Sequence, residues 1–360
     1  MSEADVSARK AIAADFLEQA GWGGAHLESL RDDASHRHYA RLYRKHETAI
    51  LMDSPPMGPV LRPYAIKARL ALDCEPFMAV GDYLHSLGLG APTLLAHDLP
   101  HGFLLLEDLG NNTYLNASTW GGDNKALLTA AVEVLVHLHS QPLPEALPVP
   151  GGGLYRLPLF GINVFLSEVA LFTRWYRHEV LGNPLEITLF REEQKLWRAL
   201  YERYVKDEPD HLMLRDFHSP NLMWQHAKVG VARVGILDYQ DALLGPEAYD
   251  LVSLLQDARQ DVPAILEAHL LDKYISAMTH RRPDFNPQTF QACYAVLAAQ
   301  RSIRIMGVFT RLWKRDNKHA YREHLPRMAD YLTRNLAHPA LKTIARRFSQ
   351  TPWYPSRQDA

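Results

Sequence analysis

The chain has 360 residues, enough for a sizeable core and for two lobes or domains. Thirty-nine Lys and Arg stand against 41 Asp and Glu, a formal charge of −2, which removes any global electrostatic case for nucleic acid or an anionic membrane as a partner. Cys74 and Cys293 lie far apart without metal-type spacing, and the N-terminus MSEADVSARKAIAADF has no apolar signal core, so a cytoplasmic protein without a membrane segment is expected.

Ala4 to Gln19 places Ile12, Phe16 and Leu17 on one helical face, with Gly21 positioned to end the helix. Three strand-length segments follow, HLESL, HYARLYR and TAILMDS, separated by polar turns at RDDAS and KHE. A small antiparallel sheet is therefore expected between His26 and Ser54. Pro55 to Leu72 reads as a proline-containing connector, either a mobile flap or an ordered loop. Cys74 to Leu87 carries Phe77, Val80, Leu84 and Leu87 at helical spacing and stops at Gly88, after which TLLAH and GFLLLED read as two further strands. From Asp123 the pattern changes to long helices, at Asp123 to Ser140, Val164 to Leu181 and Leu189 to Val205, with a Pro- and Gly-rich loop after the first. His137 and His139 point apart on their helix and read as packing or surface residues, not metal ligands.

The segment His211 to Leu255 carries the chemistry. It reads as a strand, a tight polar loop and two strands joined by a turn, with a helix starting after Pro246. The loop holds Asp216 and, five residues on, Asn221, while the third strand ends at Asp238. Transfer of a phosphoryl group passes through a loose transition state, so a protein catalyses it by positioning the partners and neutralising phosphate charge through magnesium. Magnesium takes oxygen ligands, which Asn221 and Asp238 supply, leaving Asp216 for the acceptor hydroxyl. Any one of the three alone would pass for a turn residue; all three, fed by the apolar runs LML and VGIL, fit this chemistry. Asp250, near a helix start, is expected to cap or buttress. Three amphipathic helices follow, at Val262 to Met278, Pro287 to Leu312 and Tyr321 to Leu336. On and just beyond the second, Arg301, Arg304, Arg311 and Arg315 share a face that is either a solvated stripe or the wall of a ligand site.

The D-x-x-x-x-N loop from Asp216 to Asn221, followed by Asp238 in ILDYQDALLGPEAYDLVSLL, resembles the catalytic half of the aminoglycoside phosphotransferase-like family, a branch of the protein-kinase-like fold. Within it, DASHRHYARL, LMDSPP, CEPF, FLLLEDLG and QRSIRIMGVFTRL resemble the bacterial kinases that phosphorylate the anomeric hydroxyl of N-acetylmuramate and N-acetylglucosamine. The resemblance implies a two-lobe kinase-like α+β fold, with a sheet-bearing nucleotide lobe over residues 1–109 and a mostly helical catalytic and substrate lobe over 110–360. It also implies ATP and Mg2+ as cofactors, a small sugar as acceptor, and a place in peptidoglycan sugar recycling. The turn from Asp32 to Tyr39 then takes the place over the ATP phosphates, with Ser35 and Arg37 as contacts, and main-chain groups around Glu107 and Leu109 meet the adenine edge while Leu104 and Leu106 pack on its face. Met52 stands where kinases carry a third-strand lysine, leaving Arg37, Arg41 or Lys67 as substitutes. His218, Arg301 and Arg304 are the expected acceptor contacts. Two alternatives remain open: a kinase for another small molecule of the aminoglycoside, choline or homoserine type, and a nucleotide-binding pseudokinase.

Overall fold

The computed structural model describes residues 3–30, 37–55, 57, 62–183 and 186–350. Helix α1 (Glu3–Gln19) leads into β1 (His26–Ser29), β2 (His38–Arg44) and β3 (Glu47–Asp53), then α2 (Arg62–Ala68), α3 (Glu75–Ser86), β4 (Leu94–Asp98) and β5 (Phe103–Glu107). The five strands form one antiparallel sheet in the order β1-β2-β3-β5-β4, with Met52 opposite Leu104 and Ala49 opposite Glu107. Period-two alternation gives the sheet two apolar faces. Leu51, Phe103 and Leu105 pack with Phe16 and Leu17 of α1, where the Phe16 and Phe103 rings stack at 5.9 Å. Met52, Leu104 and Leu106 point the other way and join the main core with Phe77, Val80 and Leu84 of α3.

The remaining chain is largely helical: α4 (Ala117–Trp120), α5 (Asn124–His139), a small hairpin β6 (Leu147–Pro148) and β7 (Leu154–Tyr155), α6 (Ile162–Leu171) and α7 (Ile187–Tyr204). Then come β8 (Asp210–Met213), β9 (Leu222–Trp224), β10 (Val234–Ile236), β11 (Leu243–Pro246), α8 (Ala248–Leu255), α9 (Ala264–Arg281), α10 (Pro287–Lys314), α11 (Leu325–Leu336) and α12 (Lys342–Ser349). Asp123 caps α5 as its side chain accepts from Lys125 N, and Asn286 caps α10 through Gln288 N and Thr289 N. Among the described residues no helix is long and apolar enough to cross a membrane.

Several elements differ from the sequence expectation. The connector after Pro55 contains α2, which is ordered because the Ala68 carbonyl accepts from Arg215 Nη1 (3.0 Å) and Ala71 N donates to Asp241 (2.6 Å). The helix expected from Val164 to Leu181 continues past Leu171 as a π-helical turn, Phe172–Arg177, a widening that hydrophobic periodicity does not encode. At that junction α10 makes backbone contact, since a Cβ on Gly307 would fall 2.4 Å from the Leu171 carbonyl carbon. Pairing of β11 with β8 was not anticipated, and the last expected helix opens as a 3-10 turn over His319–His324. His137 and His139 are packing residues: the first bonds the Leu87 carbonyl at 2.9 Å and the buried second the Tyr274 hydroxyl at 2.8 Å.

Candidate active site

The loop between β8 and β9 is suspended from α8 and its extension. Asp250, fully buried, accepts from Leu214 N (2.6 Å) and Arg215 N (2.8 Å), which is the expected buttress rather than a cap. Seven residues on, Asp257 accepts from Ser219 N (2.8 Å) and from the Ser219 hydroxyl. Two carboxylates thus grip the two ends of the loop. Between them Arg215 takes a left-handed backbone (φ 71°), an unusual conformation for a residue with a side chain and one that turns Asp216 toward the cleft. Burial pushes Asp250 up to about 7. Burial also opposes ionisation of Asp216, but the charges of Arg304, His218, Arg215 and Arg301 outweigh it and hold that carboxyl below the usual carboxylate range. Burial pushes His218 down, against the pull of Asp257 and Asp216.

Asn221 and Asp238 meet through the main chain, where Leu237 N donates to the Asn221 carbonyl (2.9 Å). The Asn221 Nδ2 donates to the Asp216 carbonyl (3.0 Å), which fixes the amide and leaves its Oδ1 as an acceptor. Asp238 is also left-handed (φ 57°), and Gln240 Nε2 donates to its Oδ1 (2.7 Å). Burial and the charge of Asp216 push Asp238 up to about 6, with Gln240 and Arg37 acting in the opposite sense. One crowded carboxylate and one oriented amide oxygen are a hard-oxygen donor pair with surplus negative charge, which fits magnesium. Among the described residues no group of three or more His, Cys, Asp and Glu could cage a metal, so a cation here would complete its shell with phosphate and water.

Opposite the loop runs α10. Arg301, 3% exposed, donates from Nη1 to the Gln256 carbonyl (3.2 Å), while its shielded Nε has no hydrogen-bond partner among the described residues. Arg304 contacts Glu168 through Nε (3.2 Å) and donates from Nη1 to the Tyr249 hydroxyl (3.3 Å). Glu168, buried in the apolar α6, also accepts from Arg215 Nη2 (2.6 Å) and Gln300 Nε2 (2.9 Å). Burial disfavours its charge, yet Arg304 and Arg215 keep it below the usual carboxylate range.

A cavity of about 560 Å³ collects these groups. Asp216, His218, Asn221, Asp238, Arg37, Arg301 and Arg304 all line it, and so do Arg311 and Arg315, so the arginine stripe is a cavity wall. Glu107 and Leu109 are not part of this lining. The Glu107 carboxylate accepts from Thr93 Oγ1 (2.6 Å) and its N–H donates to the Thr93 carbonyl (2.9 Å), while the Leu109 carbonyl accepts from Gln225 Nε2 (2.8 Å). Ser35 lies outside the described residues. Met52 is fully buried in β3. Of its suggested substitutes, Arg41 is tied to Asp108 at 2.7 Å and to Asn111 at 2.7 Å, whereas Arg37 and Lys67 line the cavity. Sequence reasoning missed Glu168, Arg215, Asp257 and Tyr249. The usable signal was a lone carboxylate inside NVFLSEVALF, and a second Asp seven residues beyond Asp250.

A five-stranded antiparallel sheet beside a helical body, with Asp216, Asn221 and Asp238 presented to one cleft, is a protein-kinase-like phosphotransferase fold. Solved aminoglycoside phosphotransferases share it: the gentamicin complex of APH(2″)-IIa superposes with a TM-score of 0.57 at 15% identity, covering 92% of this chain and 97% of that one. An ethanolamine kinase from Plasmodium vivax gives 0.56 at 12% identity, covering 88% and 84%. The chain belongs to the phosphotransferase enzyme family, matched over residues 26–285. It is 36% identical to the N-acetylmuramate/N-acetylglucosamine kinase of Caulobacter vibrioides, over 94% of this chain and 95% of that protein. The enzymes of the same name from Pseudomonas aeruginosa and Neisseria meningitidis are 30% and 31% identical, over 92% and 84% of this chain and 91% and 83% of theirs.

Proposed function

We propose that the chain is an ATP-dependent kinase of N-acetylmuramate and N-acetylglucosamine that phosphorylates the anomeric C1 hydroxyl, in cytoplasmic recycling of peptidoglycan sugars. The observation that carries this reading is 36% identity over 94% of the chain to a kinase of that name. The cavity agrees with it. Its arginine wall suits a neutral or anionic acceptor and disfavours the cationic aminoglycosides, ethanolamine or choline. Two unpaired, buried thiols are in keeping with a reducing compartment.

In this reading residues 1–109 act as the nucleotide lobe and 110–360 as the catalytic lobe. Main-chain groups at Glu107 and Leu109 hold the adenine edge, and Ser35 and Arg37 meet the phosphates. Asn221 Oδ1 and the Asp238 carboxylate would hold magnesium, which when bound neutralises phosphate charge. Asp216 orients the acceptor hydroxyl for in-line attack. Its carboxyl is held ionised and is therefore a weak base, so it takes the proton late, as charge leaves the acceptor oxygen. His218, which lines the cavity, contacts sugar oxygens. Arg301 and Arg304, the latter steadied by Glu168, face the acceptor from the cavity wall.

Assay of ATP turnover against a sugar panel, with a no-acceptor control, tests the activity; turnover of neither sugar would reject it and favour a nucleotide-binding module. N-acetylmuramate carries a carboxylate that N-acetylglucosamine lacks. Arg301→Ala should therefore raise the KM for N-acetylmuramate roughly ten- to a hundredfold more than for N-acetylglucosamine, the factor implied by losing one charge-assisted hydrogen bond. Equal effects on both sugars would assign Arg301 to the loop instead.

A further inference from the structure

We infer that the end of the cavity beyond Arg304 is a second, anion-reading subsite, built for an amino sugar whose lactyl group is extended by two or three residues ending in a carboxylate. The inference rests on the sugar-kinase reading but adds a ligand element that N-acetylmuramate and N-acetylglucosamine do not have.

The cavity does not stop at the catalytic residues. Its wall follows α10 from Arg301 past Arg304 to Arg311 and on to Arg315 just beyond the helix, and α2 and the π-helical turn close it from the other sides with Tyr64, Lys67, Arg174 and Trp175. At about 1.5 Å per residue, Arg311 lies roughly 10 Å along the helix from Arg304. A lactyl carboxylate read at Arg301 leaves that stretch of wall unfilled, and a chain of two or three further residues would cover it, since extended chain covers about 3.3–3.6 Å per residue.

Charge at this end is one-sided. Lys67, Arg174, Arg311 and Arg315 contribute cations, and the acidic group beside them, Asp316, is bonded to Arg315 at 2.7 and 2.9 Å. Arg311 is the distinctive member. Its guanidinium lies 5.0 Å over the Tyr64 ring and its Nε is shut off from solvent, which leaves the terminal Nη groups as the part that meets the cavity. A guanidinium steadied on a ring, with its terminal donors toward a ligand, can take a carboxylate as a fork. Trp175 and Tyr64 supply apolar surface for the chain that leads to it.

Calorimetric binding to the full chain, with magnesium and a non-hydrolysable ATP analogue, tests this with three ligands: N-acetylglucosamine, N-acetylmuramate, and N-acetylmuramate extended at its lactyl carboxyl by alanyl-glutamate. The extended sugar should bind at least as tightly as N-acetylmuramate. Arg311→Ala should weaken it about tenfold or more, Arg315→Ala by less, and both should leave N-acetylglucosamine within about twofold. Arg311→Lys, which keeps the charge without the fork, should restore only part of the loss. Binding of the extended sugar no tighter than N-acetylglucosamine, or unchanged in Arg311→Ala, overturns the subsite. So does a loss of affinity in Arg311→Ala that disappears at high salt, which would make the arginines a screened, long-range field and not a contact. If neither simple sugar is turned over yet the extended one binds through Arg311, the sugar-kinase reading fails and the subsite stands.

Discussion

Asp216 and Asp238 share one cleft but sit in opposite electrostatic environments, and that contrast supports the different roles proposed for them. Asp216 faces Arg304, His218, Arg215 and Arg301 and stays ionised, whereas burial and the charge of Asp216 push Asp238 up to about 6. Asp216→Asn should keep nucleotide affinity and the fold but lose turnover by about 10² or more, the range for a lost general base. Retained turnover would remove Asp216 from catalysis. For Asp238 the folded carboxyl binds its proton more tightly than the unfolded one, whose ordinary value is 3.8, so its ionisation costs stability as pH rises from about 4 to about 6. Asp238→Asn has no such cost. Without metal, the variant and the parent should melt together near pH 4 and the variant should melt higher above pH 6; magnesium with nucleotide should raise the parent's Tm and have little effect on the variant's. Parallel melting curves at all pH values would show that Asp238 is not a strained carboxylate.

At the scale of elements, the site depends on three helices meeting closely. Asp250 of α8 and Asp257 just after it hold the loop by its amides, and the α6–α10 contact sets where Arg301 and Arg304 stand. That contact is made backbone to backbone. Because the atoms a Cβ on Gly307 would meet, at 2.4 to 2.7 Å, are the main chain of Leu171 and Phe172, no side chain can swing away to make room. Gly307→Ala should destabilise the fold by about 1–3 kcal/mol, the usual cost of overpacking, and move the arginine wall, so chemical denaturation and acceptor KM should both change. A variant as stable as the parent would show that α6 and α10 slide freely.

Across the whole molecule, Glu168 joins parts distant in sequence. It binds Arg215 of the β8–β9 loop and Arg304 of α10, and Arg215 in turn donates to the Ala68 carbonyl of α2. A buried carboxylate between two guanidiniums is costly to break, because removing it leaves cations without compensation. Glu168→Gln should lower unfolding stability by about 3–5 kcal/mol in urea titration, even though the shape of the side chain is kept. A loss under about 1 kcal/mol would mean that water already compensates these charges.

Much of this was legible in the sequence, for identifiable reasons. Period-two and period-3.6 patterns are local, so the sheet from His26 to Glu107 and the helices α1, α3, α5, α7 and α10 could be read from them, as could the short-range spacing of Asp216, Asn221 and Asp238. Non-local contacts could not. The pairing of β11 with β8, the π-helical turn opposite Gly307 and the order in α2 each depend on chain segments far apart. The arginine stripe shows the division most clearly. Its spacing follows from sequence, but a solvated face and a cavity wall have the same periodicity, and only the packing of α2, α6 and the β8–β9 loop around it made it the wall of a cavity.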